Sequence, residues 1–255
     1  MSKGAVMIKD HFLMKLEEAA LNAYPAPKQL LYDGWLMRFL GGPSKRVNSV
    51  NVLYPSSVPF SEKISYCESI YSSQGLQVIF RVPDPFTTEA LNTALLAAGY
   101  TSYDPTFVLG RKIQPGIFSP HSRATLREMS IPDWMQLRSF VGDVAVEKIA
   151  YLERILEIIV PEKVLLGCFV DQEPAACGIA VREEDYLGYF SIYTHHHIRR
   201  KGYAKAVMAA LTGWGLKNGA NFGYLQVEGD NTPAKKLYGE MGFEACYRYV
   251  YWKKM

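Results

Sequence analysis

The sequence predicts an α/β fold in which helices pack on a mixed β-sheet. The second half of the chain has the order strand, two helices, three strands, helix, strand, helix, strand. The first half also alternates strand-like segments with amphipathic helices. A hairpin region followed by alternating strands and helices is typical of a mixed sheet with helices on its faces. The chain has 255 residues, 49% of them hydrophobic, so it can bury the core of one large domain or two smaller ones.

Hydrophobic periodicity places the elements of the first half. A helix is expected over about 9–23, because Phe12, Leu16 and Ala19 fall on one face and Pro25 follows. The other helical segments carry apolar stripes, and the strand segments are rich in β-branched and aromatic residues. We therefore expect helices over 60–71 and 87–98, and strands within 33–42, 47–54, 76–82 and 106–113.

The second half is predicted in the same way. Pro132 opens a first helix, and Thr232 is the expected N-cap of the last one, with Pro233 at its first position. We expect helices over 132–140, 144–159, 202–217 and 233–241, and strands over 124–129, 164–170, 174–182, 185–193, 222–228 and 245–252. The last of these strands is expected to close the sheet.

The segment 114–122 (QPGIFSPHS) is polar and rich in glycine and proline, which predicts a linker between two domains, 1–115 and 122–255. The tripeptide LQV occurs at Leu76 and again at Leu225. A short helix, a glycine–aromatic pair and a final strand follow each copy. This indicates that the first half is a partial copy of the second, although three matching residues are a weak signal.

Composition limits the classes of partner. Lys plus Arg is 28 and Asp plus Glu is 25, a net charge of +3, which does not indicate nucleic-acid binding through a basic face. No apolar run is long enough to span a bilayer, and the first residues lack the apolar centre of a secretory signal. The four cysteines have no metal or redox spacing. We expect a cytoplasmic protein with no nucleic-acid or membrane partner.

The stretch 194–206 (THHHIRRKGYAKA) joins a predicted strand to a predicted helix. A glycine at such a turn allows positive φ and close approach of the backbone, and the first amides of the helix make an anion site. Arg199, Arg200 and Lys201 add attraction for phosphates, and Ala204 keeps the surface small. The loop therefore predicts a pyrophosphate site.

Three consecutive histidines precede this loop and leave a metal site as an alternative. Adjacent side chains of an extended strand point to opposite faces, so they converge poorly on one ion. We favour exposed loop histidines and expect no metal.

Two motifs carry a resemblance to a known family. Residues 199–204 (RRKGYA) resemble the R/Q-x-x-G-x-G/A motif of the GNAT acetyltransferase superfamily, and 231–243 resemble its N-x-x-A-x-x-L-Y-x-x-x-G-F signature. The resemblance covers about 123–252. It implies the GNAT acyl-CoA N-acyltransferase fold, in tandem with a degenerate N-terminal copy. Because the first half has no second phosphate motif, we expect one cofactor site.

The resemblance also implies the reaction and the site. It implies an N-acetyltransferase that transfers the acetyl group of acetyl-CoA directly to a primary amine, on a small molecule or a peptide, within a ternary complex. No cysteine argues for an acyl-enzyme. The residues expected to hold the cofactor are Ile192 and Thr194 at the strand end, Arg199, Arg200, Lys201, Gly202, Tyr203 and Ala204 in the loop, and Asn231 on the pantetheine arm.

Tyr238 is expected near the thioester sulfur. A phenol with a pKa of about 10 is a reasonable proton donor to a departing thiolate, although a tyrosine on a helix can also simply pack on the sheet. Glu228 and Asp185 are candidates for the base that deprotonates the ammonium, with a water chain as an alternative. A backbone N–H near Ile192 would polarise the carbonyl.

Other interpretations stay open at this point. The chain could be a non-catalytic acyl-CoA-binding or regulatory module with the GNAT fold, or a weak nucleic-acid binder that uses 199–201. The stretch 41–46 (GGPSKR) is expected to be a hairpin turn. Alternatively, this stretch lies with Trp35, Arg38 and Asn48 along an acceptor cleft between the two halves.

Overall fold

The computed structural model describes residues 3–116 and 123–254, with side chains described from residue 11 onward. Most of the predicted linker, 117–122, lies outside the described residues. In chain order the elements are α1 (Lys3–Asn22), β1 (Lys28–Tyr32), β2 (Trp35–Phe39), β3 (Val50–Val52), α2 (Phe60–Ser73), β4 (Ile79–Pro83), α3 (Glu89–Ala97), β5 (Tyr100–Lys112), β6 (Thr125–Glu128), α4 (Ile131–Gly142), α5 (Val146–Ile158), β7 (Glu162–Val170), β8 (Glu173–Glu183), β9 (Tyr186–Thr194), α6 (Tyr203–Lys217), β10 (Phe222–Glu228), α7 (Thr232–Glu240) and β11 (Glu244–Lys254).

The predicted α/β class is confirmed, and every expected helix and strand is present. One strand, β1, was not expected, because its sequence KQLLY is short and closely follows two prolines. In the structure most of its residues are exposed. The expected N-cap of α7 was wrong. Asn231 caps the helix, and its side-chain carbonyl accepts from the amide of Ala234 at 3.2 Å, so Thr232 is the first helical residue.

All eleven strands form one mixed sheet in the order β1-β2-β3-β4-β11-β5-β10-β9-β8-β7-β6. The expectation that the last strand closes the sheet was wrong about its position, since β11 lies inside the sheet between β4 and β5. Likewise β5, from the first half, pairs with β10 and β11 of the second. The two halves therefore exchange their final strands and share one continuous sheet.

The order of elements repeats between the halves. Strands β1 to β5 with α2 and α3 follow the same succession as β7 to β11 with α6 and α7. In each half the third and fourth of these strands form the parallel pair, β3 with β4 and β9 with β10, and the other neighbours are antiparallel. This repeat supports the prediction of an internal copy. The division into domains 1–115 and 122–255 stays a prediction, and the shared sheet crosses it.

Two cores flank the half of the sheet that carries the predicted site. One joins α1, α4 and α5 to one face, with Leu16, Trp134 and Leu156 fully buried. The other joins α6 and α7 to the opposite face, with Val207 and Leu211 fully buried. A third core fills the first half beneath α2 and α3. Because β9 and β10 lie between the first two cores, an opening between these strands is accessible from both faces.

Candidate active site

The parallel strands β9 and β10 separate before they end. Their pairing joins Tyr186 to Phe222 and continues to Tyr189 opposite Leu225. Just beyond, Ser191 has a φ of +51° and the register with β8 shifts, which marks a β-bulge. A cleft of about 1140 Å³ opens there, lined by 189–194 on one side and 226–228 on the other. The bulge therefore turns the end of β9 away from β10 and creates the site.

The loop between β9 and α6 forms one wall of the cleft. Gly202 is the N-cap of α6 with a φ of +89°, and Arg200 also has a positive φ of +62°. The amides of the first helical turn therefore begin at the cleft, where the positive end of α6 favours an anion. The predicted loop residues Arg199, Arg200, Gly202, Tyr203 and Ala204 line the cleft, whereas Lys201 is exposed and lies outside its lining.

The end of β9 supplies the next wall. Ile192 and Thr194 both line the cleft. The Oγ1 of Thr194 is buried and has no hydrogen-bond partner among the described residues, while its carbonyl accepts from the Nε of Arg199 at 3.3 Å. A buried hydroxyl without a partner is costly unless a ligand meets it. This orphaned hydroxyl and the open amides of α6 fit a polar chain ending in phosphates, as the pantetheine arm of acetyl-CoA does.

Tyr238 lies on α7 against the same cleft, with 9% of its surface exposed. Burial raises the pKa of its phenol to about 12, and nearby Tyr193 adds to the shift. The hydroxyl is therefore protonated at neutral pH. Its ring also packs edge-on against Phe243, at 6.1 Å between ring centroids. The packing and proton-donor interpretations are thus compatible.

The two candidate bases have different positions. Glu228 ends β10, is exposed and lines the cleft. Asp185 lies in the turn between β8 and β9, where its carbonyl accepts from the amides of Asn221 and Phe222. Six residues of strand, roughly 20 Å, separate it from the bulge. The prediction that Asp185 is a candidate base was therefore wrong, because its turn lies at the end of β9 opposite to the bulge and the cleft.

The first half of the chain also contributes to the cleft. Residues 43–46 connect β2 to β3 and line it, so the stretch 41–46 is both the expected hairpin turn and a wall of the site. The side-chain carbonyl of Asn48 accepts from the amides of Leu40 and Gly41, and its amide donates to three carbonyls of the loop. Arg38 donates to the carbonyl of Arg46 at 3.2 Å. These two buried side chains fix the loop's shape.

The alternative prediction that Trp35 lies along the acceptor cleft was wrong. It is fully buried in the core of the first half, where its ring stacks on Phe60 and meets Phe80 edge-on. Arg38 and Asn48 support the loop and do not line the cleft themselves.

Aromatic residues that the sequence did not single out surround the far end of the cleft, on the side of α1, α4 and α5. They are Tyr24, Tyr151, Phe190, Tyr249 and Tyr251. They come from the α1–β1 connection, α5, β9 and β11, so no local pattern in the sequence marks them. Together with Arg46 and Arg138 they line the end of the cleft away from α6, where an acceptor cleft between the two halves was the alternative prediction, and this end is called the acceptor end.

The three histidines lie in a 3₁₀ turn, His196–Ile198 with His195 before it, rather than on an extended strand. Their ring centroids are 3.9 to 5.3 Å apart, and His195 stacks on Phe140 at 5.1 Å. The expectation that the three histidine side chains point to alternate faces of an extended strand was therefore wrong. Over residues 3–116 and 123–254, no group of three or more His, Cys, Asp or Glu side chains has an arrangement that could hold a metal.

Two further findings concern the whole described chain. Cys67, Cys168, Cys177 and Cys246 are all free thiols. No helix in the described ranges is long and apolar enough to cross a membrane.

Comparison with known proteins identifies the family. The profile of the family described as “Probable histone acetyltransferase Rv0428c C-terminal” matches residues 13–252. A protein of Bacillus subtilis strain 168, “Uncharacterized N-acetyltransferase YobR”, is 28% identical over 248 residues, which cover 94% of this chain and 97% of that protein.

Solved structures confirm the fold. A GCN5-related N-acetyltransferase from Kribbella flavida has a TM-score of 0.72 at 13% identity, covering 94% of this chain and 95% of its own. A tandem GNAT protein from the clavulanic acid biosynthesis pathway has a TM-score of 0.66 at 11% identity, covering 92% and 86%. The GNAT fold that the two motifs imply is therefore present over almost the whole chain.

The family profile covers both the loop at Gly202 and the helix of Tyr238, the two motifs on which the sequence prediction of an N-acetyltransferase rests. The predicted enzyme class, an N-acetyltransferase, is confirmed. This chain belongs to the acetyltransferase family described as “Probable histone acetyltransferase Rv0428c C-terminal”, within the GNAT N-acetyltransferases.

Proposed function

We propose that this N-acetyltransferase uses acetyl-CoA to acetylate a primary amine by direct transfer within a ternary complex. The observation that carries the proposal is the cleft between the separated ends of β9 and β10. The glycine-capped start of α6 lines it together with the buried hydroxyl of Thr194, which has no hydrogen-bond partner in the described part of the chain. Free, mostly buried cysteines support a reducing compartment such as the cytoplasm.

The cofactor occupies the wall formed by β9 and the loop. Amides from Arg199 to Ala204 hold the pyrophosphate, and the guanidinium groups of Arg199 and Arg200 add charge. The exposed Lys201 contributes long-range attraction only. The strand end at Ile192 and Thr194 binds the pantetheine arm by backbone and hydroxyl hydrogen bonds. Asn231 reaches this arm with its side-chain amide nitrogen, because its carbonyl oxygen caps α7.

Bound acetyl-CoA supplies an acetyl group activated as a thioester. Glu228 at the end of β10 takes the proton of the ammonium, directly or through water. The backbone N–H near Ile192 donates to the developing oxyanion. The Oη of Tyr238 holds its proton at neutral pH and gives it to the departing sulfur. Since three of the four free thiols are buried and burial raises the pKa of all four, a cysteine nucleophile is disfavoured.

The first test is calorimetric titration of the purified protein with acetyl-CoA, followed by an assay of thiol release with a panel of primary amines. We expect saturable binding of about one acetyl-CoA per chain and amine-dependent release of CoA. Absence of binding at millimolar acetyl-CoA would contradict the cofactor assignment. Binding without turnover by any amine would contradict the proposed reaction and favour the non-catalytic alternative.

A further inference from the structure

The acceptor end of the cleft carries positive charge that the described part of the chain does not neutralise. Arg46 lines it from the β2–β3 connection, with its guanidinium carbon 4.8 Å from the ring centre of Tyr24 and 6.0 Å from that of Phe190. Among the residues that the structure describes, no carboxylate lies within ion-pair distance of Arg46, whereas its neighbour Lys45 pairs with Asp104. The Arg46 guanidinium is therefore available to a ligand.

Arg138 supplies a second cation from α4. It is 7% exposed, and its guanidinium carbon lies 3.4 Å from the ring centre of Tyr193. Its Nε and Nη1 are buried and have no hydrogen-bond partner within 3–116 and 123–254, yet the residue lines the cleft. Buried N–H groups of a guanidinium that lack acceptors carry a desolvation cost that nothing offsets. An anionic ligand in the cleft would remove that cost.

The two guanidinium groups lie on the same side of β9. Phe190 belongs to the core beneath α1, α4 and α5. Because of the bulge at Ser191, Tyr193 also faces α4, where its ring contacts Arg138. Ile192 packs on the opposite face, toward α6. Phe190 and Tyr193 lie opposite Ile179 and Cys177 of β8, which are two residues or roughly 7 Å apart along that strand. Arg46 and Arg138 therefore flank the acceptor side of the bulge, opposite the wall assigned to the cofactor.

The buried side chains behind the acceptor end of the cleft also carry a net positive charge. Buried Arg81 pairs with Glu17, which also accepts from the hydroxyl of Tyr247. Buried Arg38 has no ion-pair partner in the described chain, and its pKa is lowered to about 9 by burial and by the charges of Arg81 and Arg46. This region therefore contains one carboxylate, that of Glu17, and three guanidinium groups, those of Arg38, Arg46 and Arg81.

Tyr249, on the floor of the cleft, responds to the same charges. Burial would raise the pKa of its phenol, but the charges of Arg46 and Arg81 and the hydrogen bonds with Thr106 and Tyr251 together lower it. Its hydroxyl donates to Gln226 at 2.9 Å. The acceptor end of the cleft is therefore a region of positive potential, as an anion-binding site requires.

We propose that the acceptor of this enzyme carries a carboxylate or phosphate in addition to its amino group, and that Arg46 and Arg138 bind that anionic group. The proposal rests on the proposed function, since it assigns the substrate class of the same cleft. The amino end of the acceptor then lies toward Glu228 and the anionic end toward Arg46. Planar guanidinium groups match both carboxylate and phosphate oxygens. A lysine-rich peptide would place further positive charge against the two arginines.

Matched amines provide the test. Wild-type enzyme is assayed with γ-aminobutyrate against γ-aminobutyramide, with phosphoethanolamine against ethanolamine, and with spermidine and a lysine-rich peptide. We expect the anionic member of at least one pair to have a kcat/KM about 10-fold or more above its neutral partner. Preference within the first pair indicates a carboxylate, and preference within the second indicates a phosphate. Equal or better turnover of neutral or polycationic amines would overturn the proposal.

Variants locate the effect. Arg46→Gln and Arg138→Gln should each lower kcat/KM for the anionic amine by about 10- to 100-fold, the loss expected for a charge-assisted hydrogen bond, while the Kd for acetyl-CoA stays within about 2-fold. Arg46→Lys keeps the charge and should retain part of the preference. Arg154→Gln removes an exposed charge from α5 outside the cleft and is the matched control. A preference that survives both Gln variants would overturn the assignment.

A binding measurement separates this proposal from the proposed function. Protein saturated with CoA is titrated with benzoate, phenylphosphate and benzamide. We expect one or both anions to bind at least about 10-fold more tightly than benzamide, and Arg46→Gln to abolish the difference. Equal affinity for all three probes in CoA-saturated protein would overturn the anion site while leaving the cofactor assignment intact. Failure of CoA itself to bind would contradict the proposed function instead.

Discussion

At the scale of single residues, the proposed mechanism depends on Tyr238 to protonate the leaving thiolate. Its pKa is raised to about 12 by burial, so its hydroxyl keeps a proton across the neutral range. We expect Tyr238→Phe to lower kcat by about 100-fold or more, as loss of a general acid does, while the Kd for acetyl-CoA changes by less than about 3-fold. Steady-state kinetics and calorimetry on the same preparation measure both quantities.

The Phe variant keeps the ring contact with Phe243 and removes only the hydroxyl, so stability is a built-in control. An equal loss of affinity and turnover would assign Tyr238 to packing. A variant with normal turnover would show that water protonates the sulfur.

Asp33 explains why the first half is not expected to hold a second cofactor. The connection from β3 to α2 corresponds in order to the phosphate loop between β9 and α6. There the amides of Ser57 and Val58 donate to the Asp33 carboxylate at 3.0 and 2.9 Å, and fully buried Lys63 pairs with it at 3.2 Å. The loop amides that could bind a phosphate are therefore already occupied by the carboxylate of Asp33.

The same contacts predict a pH dependence. The amides of Val58 and Ser57 hold the pKa of Asp33 well below its ordinary value of 3.8. A lowered pKa in the folded state contributes stability above the ordinary pKa, and the contribution is lost as the pH falls through the folded pKa. We expect Asp33→Asn to lower the Tm at pH 7. The difference from wild type should shrink once the pH falls below about 4.

Thermal unfolding of both proteins across the acidic range measures this difference. A Tm difference independent of pH would show that the hydrogen-bond geometry matters, not the charge.

At the scale of elements, we propose that the start of α6 sets the affinity for the cofactor. Gly202 adopts a φ of +89°, which a β-branched residue reaches only with strain. We expect Gly202→Val to distort the loop and to weaken acetyl-CoA binding by about 10- to 100-fold or more, in line with the cost of such a backbone conformation. Calorimetry gives the change directly.

Gly213 in the same helix provides the control. A Cβ added there would meet no atom within 4 Å. Gly213→Ala should leave the Kd for acetyl-CoA unchanged and raise the free energy of unfolding by about 0.4–1 kcal/mol, because alanine loses less backbone entropy on folding. Unchanged affinity in Gly202→Val would contradict the assignment of this loop to the pyrophosphate.

At the scale of the whole molecule, the exchange of β5 and β11 joins the halves into one folding unit. β5 of the first half lies between β10 and β11, and β11 of the second lies between β4 and β5. Expressed as separate chains, 1–115 and 122–255 should each lack cooperative unfolding, because each would lose a central strand of the sheet and expose apolar residues such as Val108.

Mixing the two chains should restore acetyl-CoA binding, which calorimetry can follow. Circular dichroism on each chain alone supplies the comparison. Cooperative unfolding of 122–255 by itself would show that the second half is an independent domain despite the shared sheet.

The sequence by itself determined all the elements except β1 and predicted the residues of the proposed cofactor wall. Helix periodicity, proline positions and strand composition are local properties, so they located α6, α7 and their flanking strands without tertiary information. The residues of the phosphate loop are contiguous, from Arg199 to Ala204, and Asn231 and Tyr238 lie in one short motif. A contiguous motif predicts its own geometry, because the turn and the helix start are formed by neighbouring residues.

Only the tertiary structure decided where the strands lie and what surrounds the acceptor. Sequence order placed β11 at the end of the sheet, whereas pairing between distant strands placed it in the middle. Arg46 and Arg138 are far apart in the chain and line one cleft because they contact Phe190 and Tyr193 on the same side of β9. Which charges lie together, and which of them lack a partner, depends on long-range packing. The acceptor end could therefore be found only in the folded molecule.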